Sequence, residues 1–284
     1  RVDPSRRPTV PGADDPIVVV DVGCRWGFAD RFMQCIDEVQ LYGFEPDAAE
    51  CQRLSSRYDH TNVTILPLGL AEKPGSYELF ITGEPACSSM YRPSVLAVER
   101  YPSLACVGQV DTKQFEATTL DVWASRSGIS YVDYIKLDTQ GSELDILRGG
   151  TDILETTRVL DVEVEFNPIY ENQPLFADVD AFLRSRGFVL WKFNTLVHYG
   201  TRGQKDLTLG TMRIAFDDHD ENIRLRGGQL YWADACYVKT DMLAPGESGG
   251  GLTRLERDAR LARLIQAEDL QLAIRDAIGS RNAP

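Results

Sequence analysis

Several patterns are missing from this chain of 284 residues. No apolar run approaches the roughly 20 residues that cross a bilayer, and no secretory signal peptide is visible. We therefore expect no membrane partner. The six cysteines form no Cys-x-x-Cys pair, and no histidine lies near them at metal-ligand spacing. This absence argues against a zinc site or a disulfide framework and favours free thiols in a cytoplasmic protein.

Positive charge is also scarce. Lys and Arg number 30 against 43 Asp and Glu, so the formal net charge is −13. Nucleic-acid partners need a basic footprint, so this balance argues against them. Because the sequence begins with Arg1 rather than a methionine, we expect a trimmed chain or a piece of a longer one.

The most informative stretch that is present runs from Ile17 to Gly27. Four consecutive apolar residues are too few for a stable helix and suit a strand buried on both faces. Asp21 closes this strand, and Gly23 and Gly27 open a turn into a predicted helix at 28–35. Such a turn lets a ligand approach the backbone at the positive end of a helix dipole.

A second short run, residues 40–44, ends in Glu45 and is followed by Pro46. An acid at the end of the second strand is placed to accept hydrogen bonds from both ribose hydroxyls. The two features together predict a nucleoside-cofactor site in a doubly wound α/β sheet. A tight turn without a ligand is the alternative.

The glycine spacing narrows the choice of cofactor. The turn has Asp-x-Gly-x-x-x-Gly, not the Gly-x-Gly-x-x-Gly that binds a dinucleotide pyrophosphate. Arg25 occupies the middle glycine position, and Asp21 would repel a phosphate but suit an ammonium or sulfonium group. S-adenosylmethionine (SAM) carries both cations and has no phosphate, so it is the predicted cofactor.

The chain divides into four predicted parts. Residues 1–16 form a disordered lead-in, 17–243 the main domain, 244–251 a glycine-rich linker and 252–284 an amphipathic helix. In that helix an apolar stripe is predicted from Leu255, Leu264, Ile265, Leu272 and Ala273. The helix is expected to dock on its own domain or on a second copy in a homo-oligomer.

Two further segments are predicted to contact ligands. A third strand at 63–66 precedes Leu68, Gly69 and Leu70, which are expected beside an adenine ring, although an ordinary strand end is the alternative. The irregular segment 84–109 is rich in Ser, Pro and Gly and is assigned to acceptor binding. Late strands are expected at 211–216 and 235–238, as an antiparallel edge.

A second polar cluster lies further along the chain. Lys136 and Asp138 share one face of a predicted strand at 134–138. The strand after it carries Asp161, Glu163 and Glu165 on one face, so Lys136 is expected to pair with Glu163 or Glu165. A structural ion pair is the alternative role for Lys136, whereas Asp138 ends its strand where open α/β sheets bind ligands.

At this point the sequence resembles the FkbM family of SAM-dependent methyltransferases. The resemblance spans about residues 17–240 and rests on Val19-Val20-Asp21-Val22-Gly23, Phe44-Glu45-Pro46, Thr119-Leu120-Asp121, Ile135-Lys136-Leu137-Asp138-Thr139-Gln140-Gly141-Ser142-Glu143 with Leu147 and Gly149, Val162-Glu163-Val164-Glu165 and Asp234-Ala235-Cys236-Tyr237-Val238.

The resemblance implies a class I methyltransferase fold (Rossmann-like) with a mostly parallel seven-stranded sheet. It also implies methyl transfer to a hydroxyl, often on a sugar or a natural product. One departure is Cys24-Arg25, where the family usually has Ala-Asn. Arg25 is expected to bind the cofactor's carboxylate in place of the Asn or to alter that contact.

For the chemistry, methyl transfer needs a group that orients the acceptor hydroxyl and takes its proton. Asp138 is the first candidate, and Glu165, His198 and Lys136 follow. Contacts to the acceptor are predicted from Gln140, Glu143, Trp191 and Tyr199, although Glu143 has a helix cap as its alternative role. A divalent metal held by Asp138, Glu165 and His198 fits hard oxygen ligands, but the spacing does not require one.

Three other functions stay open from the sequence. A nicotinamide-dependent oxidoreductase can share this sheet, although the missing glycine counts against it. A degenerate domain that binds SAM or a partner without turnover is kept open by Arg25. The third hypothesis makes the C-terminal helix the main functional surface of an assembly domain.

Overall fold

A computed structural model of the protein describes residues 10–201, 208–215, 220–245 and 251–282. The strands are β1 (Ile17–Val22), β2 (Val39–Phe44), β3 (Val63–Leu66), β4 (Gly69–Leu70), β5 (Gly75–Thr82), β6 (Gln109–Thr118), β7 (Tyr134–Leu137), β8 (Val159–Glu165), β9 (Phe188–Tyr199), β10 (Thr208–Ala215), β11 (Asp220–Arg226) and β12 (Gln229–Lys239). The helices are α1 (Asp30–Met33), α2 (Ala48–Arg57), α3 (Val95–Arg100), α4 (Leu120–Arg126), α5 (Glu143–Arg148), α6 (Thr151–Leu154), α7 (Phe176–Ser185), α8 (Leu252–Leu264) and α9 (Glu268–Asn282).

Seven strands form the main sheet, in the order β3-β2-β1-β7-β8-β12-β9. Strands β3, β2, β1, β7 and β8 are parallel to one another, and β12 runs antiparallel to both β8 and β9. The expected class I methyltransferase fold is therefore confirmed. The predicted strand 235–238 belongs to β12, which lies inside the sheet, so its placement at the edge was wrong.

The sheet is covered on both faces by apolar side chains. Val20, Ile135 and Val162 belong to a core packed by helices α4 to α7. Their alternate neighbours, such as Val19 and Val159, belong to a second core with α1, α2, α8 and α9. Because successive strand residues point to opposite faces, one short apolar run supplies both cores.

The C-terminal segment differs from the prediction of one helix. Two helices, α8 and α9, are separated by a turn at which Gln266 has a left-handed φ of 56°. Leu255, Leu264 and Ile265 pack into the second core, but the predicted stripe does not continue, because Leu272 is 60% exposed and Ala273 is exposed as well. Helix α8 thus docks on its own domain.

Two buried ion pairs hold α8 in place. The Nη2 atom of Arg257 lies 2.6 Å from Asp133 Oδ2, and Arg158 Nη2 lies 2.8 Å from Asp258 Oδ2. Arg257 also donates to the carbonyl oxygens of residues 12, 15 and 16, so this part of the predicted disordered lead-in is fixed against α8. Residues 1–9 and linker residues 246–250 lie outside the described residues.

The segment between β3 and β7 adds a small sheet to the domain. Strands β4, β6 and β5 form a three-stranded sheet, and α3 lies in the connection between β5 and β6. This connection contains the predicted insertion 84–109 except its last residue, Gln109, which begins β6. Strands β10 and β11 form a separate antiparallel pair, and the end of the predicted strand 211–216 lies outside the described residues. Across the described ranges, none of the helices combines the length and apolar character that a bilayer crossing requires.

Candidate active site

A cavity of about 260 Å³ opens where β1, β2 and β7 end side by side. Its lining combines the turn after β1, the acid after β2, the loop after β7 and part of the insertion. The lining residues are Val22, Gly23, Arg25, Phe44, Glu45, Pro46, Asp47, Leu68, Gly69, Leu70, Leu79, Ile81, Pro85, Ala86, Ser88, Met90, Phe115, Asp138, Thr139, Gln140, Ser142 and Ile146.

The turn after β1 depends on its two glycines for steric reasons. Gly23 has a φ of 81°, and a Cβ atom there would lie 2.0 Å from the carbonyl oxygen of Asp138. Any side chain at Gly23 would therefore separate β1 from β7 at the cavity wall. Gly27 was predicted to contact the cofactor, but its Cα faces the Tyr58 hydroxyl, which accepts a hydrogen bond from the amide of Phe28. Gly27 thus holds the turn against α2.

Asp21 lies at the end of β1 and is only 5% exposed. Its Oδ1 accepts no hydrogen bond from the described residues, although Lys136 Nζ lies 3.7 Å away. Burial raises the pKa of Asp21 to about 6, against the opposing influence of Lys136. A buried, incompletely satisfied carboxylate of this kind favours a cationic neighbour.

Glu45 lines the cavity at the end of β2, as the sequence predicts. One of its oxygens, Oε1, accepts a hydrogen bond from the amide of Asp47 at 2.9 Å. Burial raises the pKa of Glu45, while the Asp47 amide and the nearby Arg25 guanidinium lower it. Arg25 lines the same cavity as Glu45.

Another part of the cavity wall is apolar. The predicted residues Leu68, Gly69 and Leu70 all line it, and the Phe115 ring packs directly on Gly69. The sequence did not single out Phe115 or Ile146, because both read as ordinary core residues of a strand and a helix. The segment 84–109 was singled out by its composition, and Pro85, Ala86, Ser88 and Met90 do line the cavity.

Asp138 also lines the cavity, and both of its carboxylate oxygens are held. Lys136 Nζ lies 3.1 Å from Oδ2, and Gln140 Nε2 donates to Oδ1 at 3.1 Å. Burial opposes the charge of Lys136, but the carboxylates of Asp21 and Asp138 outweigh it and raise the pKa of Lys136 above its ordinary value. The expected pairing of Lys136 with Glu163 or Glu165 was wrong, because Asp21 lies directly opposite Lys136 in the β1–β7 register.

Gln140 connects this group to its surroundings. Its Nε2 also donates to Glu163 Oε2 at 2.6 Å, and its Oε1 accepts from the Tyr170 hydroxyl at 3.0 Å. The Ser89 hydroxyl donates to its carbonyl oxygen at 2.6 Å, and its φ is 60°. Non-glycine residues adopt this left-handed region only where the surroundings compensate the strain.

The other two candidate carboxylates are buried away from the cavity wall. Glu143 accepts hydrogen bonds from the amides of Thr139 and Gly141 and from the Thr139 hydroxyl. Burial raises its pKa to about 7. These contacts order the loop after β7. This role of Glu143 is closer to the alternative of a helix cap than to contact with the acceptor. Burial also raises the pKa of Glu165 well above its ordinary value, beside Gln173.

The remaining candidates lie on β9, at the far edge of the sheet. Trp191 packs into the second core, and Tyr199 packs on Tyr101 and Tyr231 in a separate cluster that includes residues of the insertion. His198 lies opposite Leu230 in the β9–β12 register. The described residues that line the cavity include none of these three, so the expected aromatic wall of Trp191 and Tyr199 does not form there.

The sequence favours free thiols and leaves open a divalent metal held by Asp138, Glu165 and His198. All six cysteines are free thiols. Among the described residues, no group of three or more His, Cys, Asp or Glu side chains has a geometry that could hold a metal ion.

A family model, described as the methyltransferase FkbM domain, matches residues 21–190, which is more than half of the chain. The chain belongs to the FkbM methyltransferase family. This protein is thus a SAM-dependent methyltransferase, and the nicotinamide-dependent alternative is set aside.

Two curated relatives carry more specific names. The chain is 30% identical over 177 residues to the 2-O-methyltransferase NoeI of Sinorhizobium fredii. The match covers 58% of this chain and 70% of that protein. It is 23% identical over 154 residues to the hexuronic acid methyltransferase AglP of Haloferax volcanii, covering 54% of this chain and 57% of that protein.

Among solved structures, the chain is similar to M. capricolum TrmK in complex with S-adenosyl-homocysteine. The identity is 10%, the TM-score is 0.35, and the match covers 94% of this chain and 89% of that chain.

Proposed function

We propose that this FkbM methyltransferase transfers the methyl group of SAM to a hydroxyl of a sugar or natural-product acceptor. The observation that carries the proposal is the position of Asp138, whose carboxylate lines the cavity and is held by Lys136 and Gln140. The names of the two relatives, one a 2-O-methyltransferase and the other a hexuronic acid methyltransferase, support a carbohydrate acceptor.

The lining of the cavity fits SAM. Glu45 is placed to accept hydrogen bonds from the ribose hydroxyls, and Leu68, Leu70 and Phe115 offer an apolar wall for the adenine ring. Asp21 lies outside this lining, and we assign to it only the negative charge that favours the cationic end of the cofactor in the neighbouring cavity. Arg25 lines the same cavity and its charge acts on Glu45, so we assign it to the nucleoside site.

When bound, SAM supplies an electrophilic methyl group on a sulfonium. The protein's own contribution is to hold the acceptor oxygen about 3 Å from that methyl and to remove the hydroxyl proton. We assign proton acceptance to Asp138. Lys136 does not act as a base, because its flanking carboxylates keep it protonated. It is a positioning residue, and Gln140 fixes the second oxygen of Asp138.

A direct test measures methyl transfer from isotopically labelled SAM to a panel of hydroxylated glycosides and natural products. We expect a methyl ether as the product, and we expect Asp138→Asn to lower turnover by about 100-fold or more while SAM still binds. A methyl group found on nitrogen or carbon, or an Asp138→Asn variant with full turnover, would contradict the proposal. Binding of SAM without any transfer would support the non-catalytic alternative.

A further inference from the structure

A band of polar side chains crosses the main sheet beside the cavity. We define it as the polar strip and assign to it Lys136, Asp161, Glu163, Asn194, Thr195 and Asp234. These residues lie on four neighbouring strands, because Lys136 is opposite Asp161, and Asp234 is opposite both Glu163 and Thr195. The strip therefore runs from β7 to the edge strand β9.

The strip is continuous with the Asp138 site. Lys136 contacts Asp138 directly, and Gln140 bridges Asp138 to Glu163. Further out, Asn194 Nδ2 lies 3.3 Å from Asp161 Oδ1. Thr195 lies directly opposite Asp234 in the β9–β12 register. A ligand lying along the strip would have one end at the carboxylate that we assign as the proton acceptor.

The strip lies where a sheet of this class is normally covered. Parallel strands in the centre of an α/β sheet are buried on both faces by helices. Here the side chains of Lys136 and Asp138 are 33% and 31% exposed, although β7 is the central strand of the seven. On the same face but nearer the start of β7 and β8, Tyr134 and Val159 are covered by the second core with α8. The apolar residues that cover this face of the sheet therefore end where the polar strip begins.

A second observation indicates that a ligand completes this place. The buried Asp21 lies beside Lys136 at the inner end of the strip, and its Oδ1 accepts no hydrogen bond from the described residues. Arg31, which pairs with Asp161, likewise has a buried Nε without an acceptor among them. Buried polar atoms that stay unsatisfied in the protein alone are typical of sites that a ligand completes.

The chemistry of the strip defines its ligand. It offers carboxylate, amide, hydroxyl and ammonium groups within a few ångströms, so it can both accept from and donate to adjacent hydroxyls. Together with the adjoining Asp21 and Asp138, the strip holds five carboxyl groups, and among the described residues only Lys136 and Arg31 form ion pairs with them, so a carboxylate or phosphate on the ligand would be repelled. From this arrangement, we infer that the polar strip binds a neutral saccharide acceptor whose reacting hydroxyl lies at Asp138. This inference rests on the proposed function and narrows its substrate class.

The test maps saccharide binding on the protein loaded with S-adenosyl-homocysteine. Backbone amide shifts are recorded by NMR during titration with matched pairs of a neutral hexopyranoside and its hexuronide. We expect the neutral member to shift amides at 192–195 and 232–235 and to bind at least about 10-fold more tightly than the hexuronide. Asn194→Ala and Thr195→Val should each weaken saccharide binding several-fold, while Gln52→Ala on the exposed face of α2 should not.

Shifts confined to the insertion 84–109, equal or tighter binding of the hexuronide, or no saccharide-dependent shift at the strip would each overturn the assignment. S-adenosyl-homocysteine binding is measured in the same samples. If S-adenosyl-homocysteine binds but the saccharides cause no shift at the polar strip, only this inference fails. If it does not bind at all, the proposed function fails with it.

Discussion

Lys136 lies on β7 and Asp138 directly follows that strand, and Lys136 Nζ is 3.1 Å from Asp138 Oδ2. The same ammonium group is 3.7 Å from Asp21 Oδ1 across the β1–β7 pair. The Lys136 ammonium group thus lies between two carboxylates, Asp21 near the end of β1 and Asp138 directly after β7. The site is therefore organised by a pairing between strands that are far apart in sequence.

Replacing Lys136 with Met tests this arrangement. The variant removes the partner of a buried carboxylate, so we expect the free energy of unfolding to fall by about 1–3 kcal/mol. Turnover should fall by at least about 10-fold, because Asp138 loses the contact that orients it. Urea unfolding and steady-state kinetics measure the two effects. Unchanged kinetics together with lower stability would make Lys136 a purely structural residue.

The pH dependence of stability follows from Asp21. Its pKa is raised to about 6 in the folded protein from an ordinary value of 3.8, and burial is the main cause. A carboxyl group with a raised folded pKa favours folding while it is protonated, and this contribution is lost as the pH rises through the folded pKa. Between about pH 4 and pH 6 the loss amounts to at most ~3 kcal/mol.

We therefore expect Asp21→Asn to lose less free energy of unfolding than the wild type as the pH rises from about 4 to about 7. Urea unfolding at closely spaced pH values measures this difference. Parallel pH profiles for the two proteins would show that Asp21 is not the responsible group. Glu143, whose pKa is raised to about 7, adds a loss of the same sign at slightly higher pH.

Gln140 has a strained backbone that lowers the stability of the protein, and we predict that its side chain is needed for turnover. Its left-handed backbone costs roughly 1–2 kcal/mol in a non-glycine residue. Gln140→Gly removes that strain but also the bridge between Asp138 and Glu163. We expect turnover to fall by at least about 10-fold with little change in SAM affinity.

The matched control is Gln266→Gly, which replaces a second glutamine with left-handed φ in the exposed turn between α8 and α9. It should stabilise the protein by about 1 kcal/mol at full activity. If both variants keep full activity, the Gln140 bridge has no part in catalysis.

The docking of α8 gives a prediction about stability alone. The side chains of Arg257 and Asp133 are 2% and 1% exposed, so removing one partner leaves a buried charge. We expect Arg257→Met to lower the free energy of unfolding by about 3–5 kcal/mol. Arg263→Ala, which removes an exposed pair with Glu38, should cost less than about 1 kcal/mol. Equal costs for the two variants would show that the buried pair does not anchor α8.

The sequence predicts those features that depend on local pattern. The apolar run before Asp21, the acid at Glu45 and the strand end at Asp138 each follow from residues within one strand and its turn, and the structure brings Glu45 and Asp138 to one cavity. The fold class follows because several such units occur in order.

Features that depend on which strands become neighbours could not be predicted. Lys136 pairs with Asp21 because β7 inserts beside β1, and no local pattern encodes that choice. The register of β9 with β12 shifts at three places, so simple alternation along β9 cannot show which side Trp191 faces. The break at Gln266 was hidden because its flanking sequence continues the helical pattern.

The most direct test of the account is calorimetric titration of S-adenosyl-homocysteine into the wild type, Glu45→Ala and Asp138→Asn. We expect Glu45→Ala to weaken binding by about 10- to 100-fold, since the ribose loses charge-assisted hydrogen bonds of about 1.5–3 kcal/mol. Asp138→Asn should bind with nearly wild-type affinity and yet fail to transfer methyl groups. Wild-type affinity in Glu45→Ala, or no binding to the wild type, would contradict the placement of the cofactor in this cavity.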